Sequence, residues 1–312
     1  MQSGRGAFPG FFVAYRAVSC YSGGEVILMY TIGVSSCGFD LTRENFLAVS
    51  QSGIGAVEIS LPAEQYPSID YAGVQRYAAE AGVKLWSYHL PFSPFSEIDP
   101  SSLDASVRAY TLDYFTRLIQ KGAAIGIDKF VVHASGEPIG DEERPERMKR
   151  SQETLCALAE TAAACGAVIA VEDLPRTCLG HTAEEIRELI SANDKLRMCF
   201  DTNHLLTQDN VDFLRALGDK IVTVHVSDYD FINERHWLPG EGKVDWKALY
   251  TAFEECGYNG VWMYEISLGA PGTIRRDRDL TFADFARNAH SIFAKETPAA
   301  LGTPKENLGM WG

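Results

Sequence analysis

Residues 164–175 read ACGAVIAVEDLP. An alanine-rich helical stretch ends at Cys165, and Gly166 stands where a glycine in the left-handed conformation closes a helix. VIAVE (168–172) is then apolar at both odd and even positions until Glu172. A strand with no polar alternation belongs to a parallel sheet covered on both faces. Glu172 therefore ends a buried strand, and a carboxylate in that place needs a partner.

The same punctuation recurs outward in both directions. GIGAVEIS, AGVKLW, GIDKFV and GYNGVW each place glycine before an apolar run. The expected strands are 31–35, 56–60, 84–89, 129–134, 168–172, 197–201, 221–226 and 261–266. Between them lie helical periodicities. Leu103, Val107, Tyr110, Tyr114 and Leu118 share one face, as do Leu155, Leu158, Ala159 and Ala162. TAEE from Thr182 reads as a capping box opening another helix. Eight βα units in about 260 residues match an α/β fold of the (β/α)8 TIM-barrel type in a single domain. No G-x-G-x-x-G follows any strand, so a dinucleotide-binding fold lacks its main support. The expected bounds are a poorly ordered extension over 1–28, a barrel over 29–296, and a Pro/Gly-rich tail or arm over 297–312.

The chain has 312 residues, 28 basic and 42 acidic, for a net charge of −14. That charge repels nucleic acid and anionic membranes, and no basic run offsets it, so neither is an expected partner. Seven cysteines are scattered singly, which fits a reducing, cytoplasmic setting. FPGFFVAYRAV near the start makes a poor signal peptide, because Arg16 interrupts it and the basic leader is short. No apolar run approaches the ~20 residues of a membrane span. Homo-oligomer formation is left open.

In a barrel the chemistry sits where the strands end at their C-termini. Read there, the chain gives Glu58, His89, His133, Glu172, Asp201, His225 and Glu265, with His204 three residues after Asp201 and His236 in the next loop. One strand-end histidine is ordinarily a satisfied polar core residue. Many acids and imidazoles at one barrel mouth are different: buried charge of one sign must be neutralised, and a divalent cation does so most simply. Two Glu, one Asp and one His offer oxygen and nitrogen ligands suited to one Mn, Co, Mg or Fe ion, ahead of Zn. YHLPFSPFSEIDP (88–100) reads as a packed loop, as an apolar lid, or as a wall for a hydrophobic substrate part. Lys243, Arg275 and Arg276 are the few cations placed for a phosphate, which favours an unphosphorylated substrate.

VEDLP (171–175), FDTNH (200–204), VHVSD (224–228), HWLPGEG (236–242) and YEI (264–266) resemble, in order and spacing, the xylose-isomerase-like TIM-barrel superfamily over about residues 30–290. That group holds sugar isomerases, ketose 3-epimerases, inosose dehydratases and endonuclease IV-type AP endonucleases. The resemblance implies that Glu172, Asp201, His225 and Glu265 ligate one metal. It implies that Glu172 and Glu265 exchange a proton beside the carbonyl of a ketose or polyol ketone through an enediolate, and that His204 contacts or protonates an oxygen. His89, His133, His204, Arg235, His236 and Glu58 are the expected substrate-binding residues of this small-molecule carbohydrate site. Ketose epimerases carry an arginine six residues after the ligand histidine, and here that position is Phe231. Dehydration on the same site therefore stays open. So do a multinuclear zinc phosphodiesterase, for which His89, His133 and Glu234-x-His236 offer extra ligands, and a non-catalytic carbohydrate-binding barrel or subunit of a larger enzyme.

Overall fold

The computed structural model describes residues 18–22 and 25–310. Eight strands alternate with eight helices from residue 31 to 293. The strands are β1 (Thr31–Ser35), β2 (Ala56–Ile59), β3 (Lys84–His89), β4 (Lys129–His133), β5 (Val168–Glu172), β6 (Arg197–Asp201), β7 (Ile221–His225) and β8 (Val261–Tyr264). The helices are α1 (Arg43–Gln51), α2 (Tyr71–Ala81), α3 (Ala105–Ala124), α4 (Arg144–Ala164), α5 (Ala183–Ile190), α6 (Asn210–Leu217), α7 (Trp246–Cys256) and α8 (Phe282–Phe293). The strands pair in parallel in chain order, and β8 pairs β1. A bridge between Val226 and Tyr264 joins β7 to β8. The sheet thus becomes a nearly closed TIM barrel, as the glycine-strand punctuation implies.

The core divides as the period of two dictates. Val57, Ile59, Phe130, Val132, Ile169, Val171, Met198, Phe200 and Val224 pack with the helices in one large cluster. Their alternates Val131, Ala170 and Cys199 form a separate cluster, and Ala56, Trp86, Val261 and Met263 another. These small groups fill the barrel's interior. Space there is tight: a Cβ at Gly33 would lie 2.5 Å from Val261. One level further along each strand, the same inward face carries Glu58, His133, Glu172, Asp201 and His225.

Several boundaries differ from the sequence reading. The third helix runs to Ala124, and the fourth begins at Arg144 with Pro145 in its first turn. The basic piece at 144–150 is thus the start of α4. At Thr182 the hydroxyl accepts from the Glu185 backbone N–H. The Glu185 carboxylate, however, binds Arg144 rather than completing a capping box. β8 stops at Tyr264, leaving Glu265 just beyond its end.

Within the stretch expected to be poorly ordered, residues 18–22 pair with 25–29 as an antiparallel ribbon. The remainder of 1–28 lies outside the described residues. The tail is an arm: Gly302–Pro304 pairs antiparallel with Ile274–Arg276. The carbonyls of Gly309 and Met310 then accept from Arg235 and Asn233 in the β7–α7 loop. No helix of the described residues is long and apolar enough to cross a membrane.

Candidate metal centre and its pocket

Strand register assembles the centre. His133 pairs with Glu172 across β4 and β5, and Asp201 with His225 across β6 and β7. The closing bridge brings the Glu265 backbone N–H to the Val226 carbonyl at 3.3 Å, one residue past His225. One ligand atom from each of Glu172, Asp201, His225 and Glu265 then lies within 4.8 Å of all the others. Glu172, Asp201 and His225 are fully buried, and the Glu265 side chain is 12% exposed toward the pocket.

The hydrogen bonds show how each side chain is aimed. His225 turns Nε2 to Glu58 Oε2 at 3.0 Å and Nδ1 to Glu172 Oε1 at 2.7 Å. Nδ1 is also 3.5 Å from Glu265 and 3.9 Å from Asp201. A neutral imidazole has one N–H, yet both nitrogens of His225 face carboxylate oxygens. With the proton on Nε2, Nδ1 is the atom left for a cation. Asp201 Oδ1 accepts from the Asn203 backbone at 2.6 Å, while buried Asp201 Oδ2 has no hydrogen-bond partner. An unpartnered carboxylate oxygen beside an imidazole nitrogen and two further carboxylates fits a divalent ion. These residues hold acidic and histidine groups able to bind a metal.

The charge environment points the same way. Burial works to raise the Glu172 carboxyl, but His225, His133 and His89 outweigh it and hold the group well below the usual carboxylate range. Burial raises Glu265; His225 opposes this, and Glu172 and Asp201 reinforce it. Burial works to lower the His225 imidazole, and the acids around it hold it well above the ordinary histidine range. Four carboxylates, Glu58 among them, surround the one imidazole of His225.

Glu58, expected to bind substrate, does not line the pocket. It is fully buried, accepts from Ser87 Oγ at 2.7 Å and fixes His225 from below. It is the third residue of a four-residue strand, one step short of the mouth. A carboxylate behind a ligating histidine sets its tautomer and orientation. Glu58→Gln is expected to weaken divalent-ion affinity by about 10–100-fold. Chelator competition reads this directly, and unchanged affinity would remove Glu58 from the role.

Above the centre lies a pocket of about 160 Å³. Of the expected residues it gathers His89, His133, Glu172, His204, His236 and Glu265. His89 and His133 approach Glu172 Oε2 at 3.0 and 3.1 Å. His204 sets Nδ1 at 2.8 Å from the Asp173 carbonyl and Nε2 at 3.2 Å from Glu234. His236 places Nδ1 at 3.2 Å from the Glu265 carbonyl. The GEG turn lies behind this loop, with the Gly240 N–H donating to Asp228 at 2.8 Å.

Arg235, expected to bind a hydroxyl, faces elsewhere. Its guanidinium is buried against Asp230 at 2.9 Å and the Gly309 carbonyl at 2.7 Å. The pocket's arginine is Arg176, one residue past VEDLP, with an unusual φ of 54°. It binds Glu137, Asn233 at 2.7 Å and Glu234 at 2.8 Å. Its adjacency to the motif was the available sequence signal. Among the cations considered for a phosphate, Arg276 is buried in a pair with Glu241 at 2.6 Å.

A second group, His204, Glu234 and His236, also comes within metal-binding range, as does His89 with Glu172 and His225.

A family model described as xylose isomerase-like TIM barrel matches residues 46–281. The chain is 29% identical over 178 residues to a Methanocaldococcus jannaschii protein, covering 54% of this chain and 61% of that one. It is 30% identical over 158 residues to an inosose isomerase of Bacillus velezensis, covering 45% of this chain and 56% of the isomerase. The chain thus spans less than two thirds of the length of either relative. Among solved structures, a D-psicose 3-epimerase in the presence of D-fructose has a TM-score of 0.69 at 20% identity, covering 84% of this chain and 97% of that one. A 3-keto-D-glucoside 4-epimerase from E. coli has a TM-score of 0.65 at 20% identity, covering 77% and 93%. At such identities the likeness is one of fold.

Proposed function

The chain belongs to the xylose isomerase-like TIM-barrel family, and on that premise we propose that it isomerises or epimerises a ketose or related polyol ketone. The reaction removes a proton beside the carbonyl and returns it, through an enediolate. The observation that carries this reading is the convergence of Glu172, Asp201, His225 and Glu265 within 4.8 Å beneath a small pocket. The inosose isomerase relative and the epimerase folds support the same class.

Glu172, Asp201, Glu265 and His225 Nδ1 would hold one divalent ion, Mn, Co, Mg or Fe ahead of Zn. When bound, that ion supplies Lewis-acid polarisation of a carbonyl and acidifies the adjacent C–H. The side chains do the rest. Glu172 ends β5 and Glu265 follows β8, three strands apart around the barrel, so they could flank a substrate carbon. Glu172 is kept by three histidines in the unprotonated state that a base starts from. Glu265, raised by burial, suits the role of giving one back. His204, whose Nδ1–H donates to the Asp173 carbonyl, would meet a substrate oxygen through Nε2, the nitrogen that now faces Glu234. His89, His133 and His236 line the pocket as hydroxyl partners.

The test is solvent exchange. Protein loaded with Mn²⁺ is incubated with ketohexoses and inososes in D₂O, and C–H exchange is followed by proton NMR. Deuterium should enter the carbon beside the carbonyl, and chelation should stop it. No exchange with any of these substrates would overturn the reading.

One observation favours a second reading. The His204–Glu234–His236 group offers ligands for further ions, as a multinuclear phosphodiesterase requires. Two or three zinc ions per chain by plasma mass spectrometry would favour it. A net charge of −14 weighs against a nucleic-acid substrate.

A further inference from the structure

We propose that the C-terminal arm, residues 297–310, is a working part of the site: through Asn233 and Arg235, which act as positioning residues, it holds Glu234 and His236 of the β7–α7 loop beside a metal centre that the strands build without it. The inference deepens the function proposed above, and its kinetic part rests on that function. The loop needs support from outside itself. Residues 226–245 join β7 to α7, and a connection of that length is uncommon in a compact domain unless it serves function. Its base is clamped by a bridge between Asp228 and Trp237, and the Asp228 carboxylate accepts from the Gly240 and Val244 N–H groups and from the Trp246 indole. Beyond that clamp the backbone is left-handed at Phe231 (φ 63°) and at His236 (φ 50°), a conformation that a side chain makes costly. Asp230 accepts from the Ile232 and Asn233 N–H groups, and Asn203 from those of Arg235 and His236.

The arm meets this loop at three places. A Cβ on Gly240 would strike the Pro298 carbonyl, so the bare glycine of the GEG turn admits the arm. Next, Gly302–Pro304 pairs with Ile274–Arg276, and the Lys305 N–H donates to the Thr273 carbonyl at 2.9 Å. The same segment grips the loop: the Trp237 indole donates to Thr273 Oγ1 at 2.9 Å, and Arg276 pairs with Glu241 at 2.6 Å. Last, the Gly309 carbonyl accepts from the Arg235 guanidinium at 2.7 Å, and the Met310 carbonyl accepts from the Asn233 amide. Arg235 is buried with one carboxylate partner, Asp230. A guanidinium has five N–H donors, and the arm takes one that the carboxylate does not.

From these two residues a relay of polar contacts enters the pocket. The Asn233 side-chain oxygen accepts from Arg176 at 2.7 Å, Arg176 donates to Glu234 at 2.8 Å, and Glu234 stands 3.2 Å from His204 Nε2. His236 follows Arg235 directly and sets Nδ1 at 3.2 Å from the Glu265 carbonyl. Arg176, His204, Glu234 and His236 all line the pocket. The ion-holding residues are placed differently. Glu172, Asp201 and His225 end their strands and Glu265 follows one, so sheet register sets them. Ion binding and substrate handling are thus held by different parts of the chain, and the arm serves the second.

The experiment compares wild type, Gly302→Val and Asn233→Ala as full chains. A Cβ at Gly302 would lie 2.7 Å from Arg276 Cγ and 2.9 Å from the Arg275 carbonyl, so a branched side chain lifts the arm and removes nothing from the barrel. Asn233→Ala instead cuts the joint between the arm and Arg176. Amide hydrogen exchange, read by mass spectrometry without added metal, should run about tenfold or more faster over residues 229–237 in Gly302→Val, with β5–β8 unchanged. Mn²⁺ affinity by chelator competition should stay within about threefold of wild type in both variants, because the strands that aim the ligands are untouched. With the ketohexose or inosose that the wild type exchanges in D₂O, KM should rise about tenfold or more in both variants and kcat should change less. Wild-type loop protection in Gly302→Val, or a wild-type KM in both variants, would overturn the proposal. A fall in Mn²⁺ affinity alongside the loop would also overturn it, since the arm would then support the barrel as a whole. No exchange of any of those substrates by the wild type sinks the reaction instead, and loop protection with Mn²⁺ affinity then decides the arm alone.

Discussion

Glu172→Gln should empty the centre and stop turnover together. The two side chains have nearly the same shape, so packing is preserved and only the charge is lost. That charge faces His225 at 2.7 Å, His89 at 3.0 Å and His133 at 3.1 Å. It also supplies one of four ligand atoms converging within 4.8 Å. Substrate C–H exchange should fall by about 10³-fold or more, within the range ascribed to a lost general base. Metal content measured by plasma mass spectrometry should fall with it. Thermal melting gives an independent readout: an ion at 100 times its dissociation constant stabilises the native state by about 2.7 kcal/mol. Added Mn²⁺ should therefore raise the melting temperature of the wild type and leave that of the variant unmoved. A variant that keeps its ion and exchanges within tenfold of wild type would remove Glu172 as both ligand and base.

Trp262→Ala should cost the most stability of any single truncation outside the site. Trp262 is fully buried on β8 and packs against Tyr30, Trp246, Tyr250, Phe253 and Phe293. These rings pin α7 and α8 to the strand that closes the barrel. Removing a buried tryptophan leaves a cavity that five rigid rings cannot fill, at a cost of about 3–5 kcal/mol. For a domain of this size that lowers the melting temperature by roughly 6–15 °C. The next residues on the strand carry Glu265 to the centre, so metal affinity should weaken as well. A loss under about 1 kcal/mol by denaturant titration would show that the cluster repacks.

How much of this was legible beforehand depends on distance along the chain. VIAVE announced a strand buried on both faces, and its terminal Glu172 is the residue that three histidines meet. FDTNH gave Asp201 at a strand end and His204 in the following turn, and both reach the centre or its pocket. Glu58 shares the inward face of the other acids but holds His225 instead of lining the pocket, because period two fixes a face and not the partner a side chain meets. Arg235 turns away from the pocket for a different reason. A loop side chain goes where its partners are, and one of these is the carbonyl of Gly309, 74 residues away. Arg176 escaped because a positive φ turns the chain just after the motif, which no periodicity records.

By itself the sequence determined the eight βα units, the faces of their strands, and the collection of acids and imidazoles at the strand ends. Those features are local: hydrogen-bonded geometry sets periods of 2 and 3.6, and apolar residues follow them. Only the tertiary structure decided which of these residues share a site. The pairing of His133 with Glu172 and of Asp201 with His225 is a matter of strand register. The approach of Glu265 depends on the bridge from Val226 to Tyr264. Register and closure are settled by the packing of all eight units at once, and no short stretch of chain contains them.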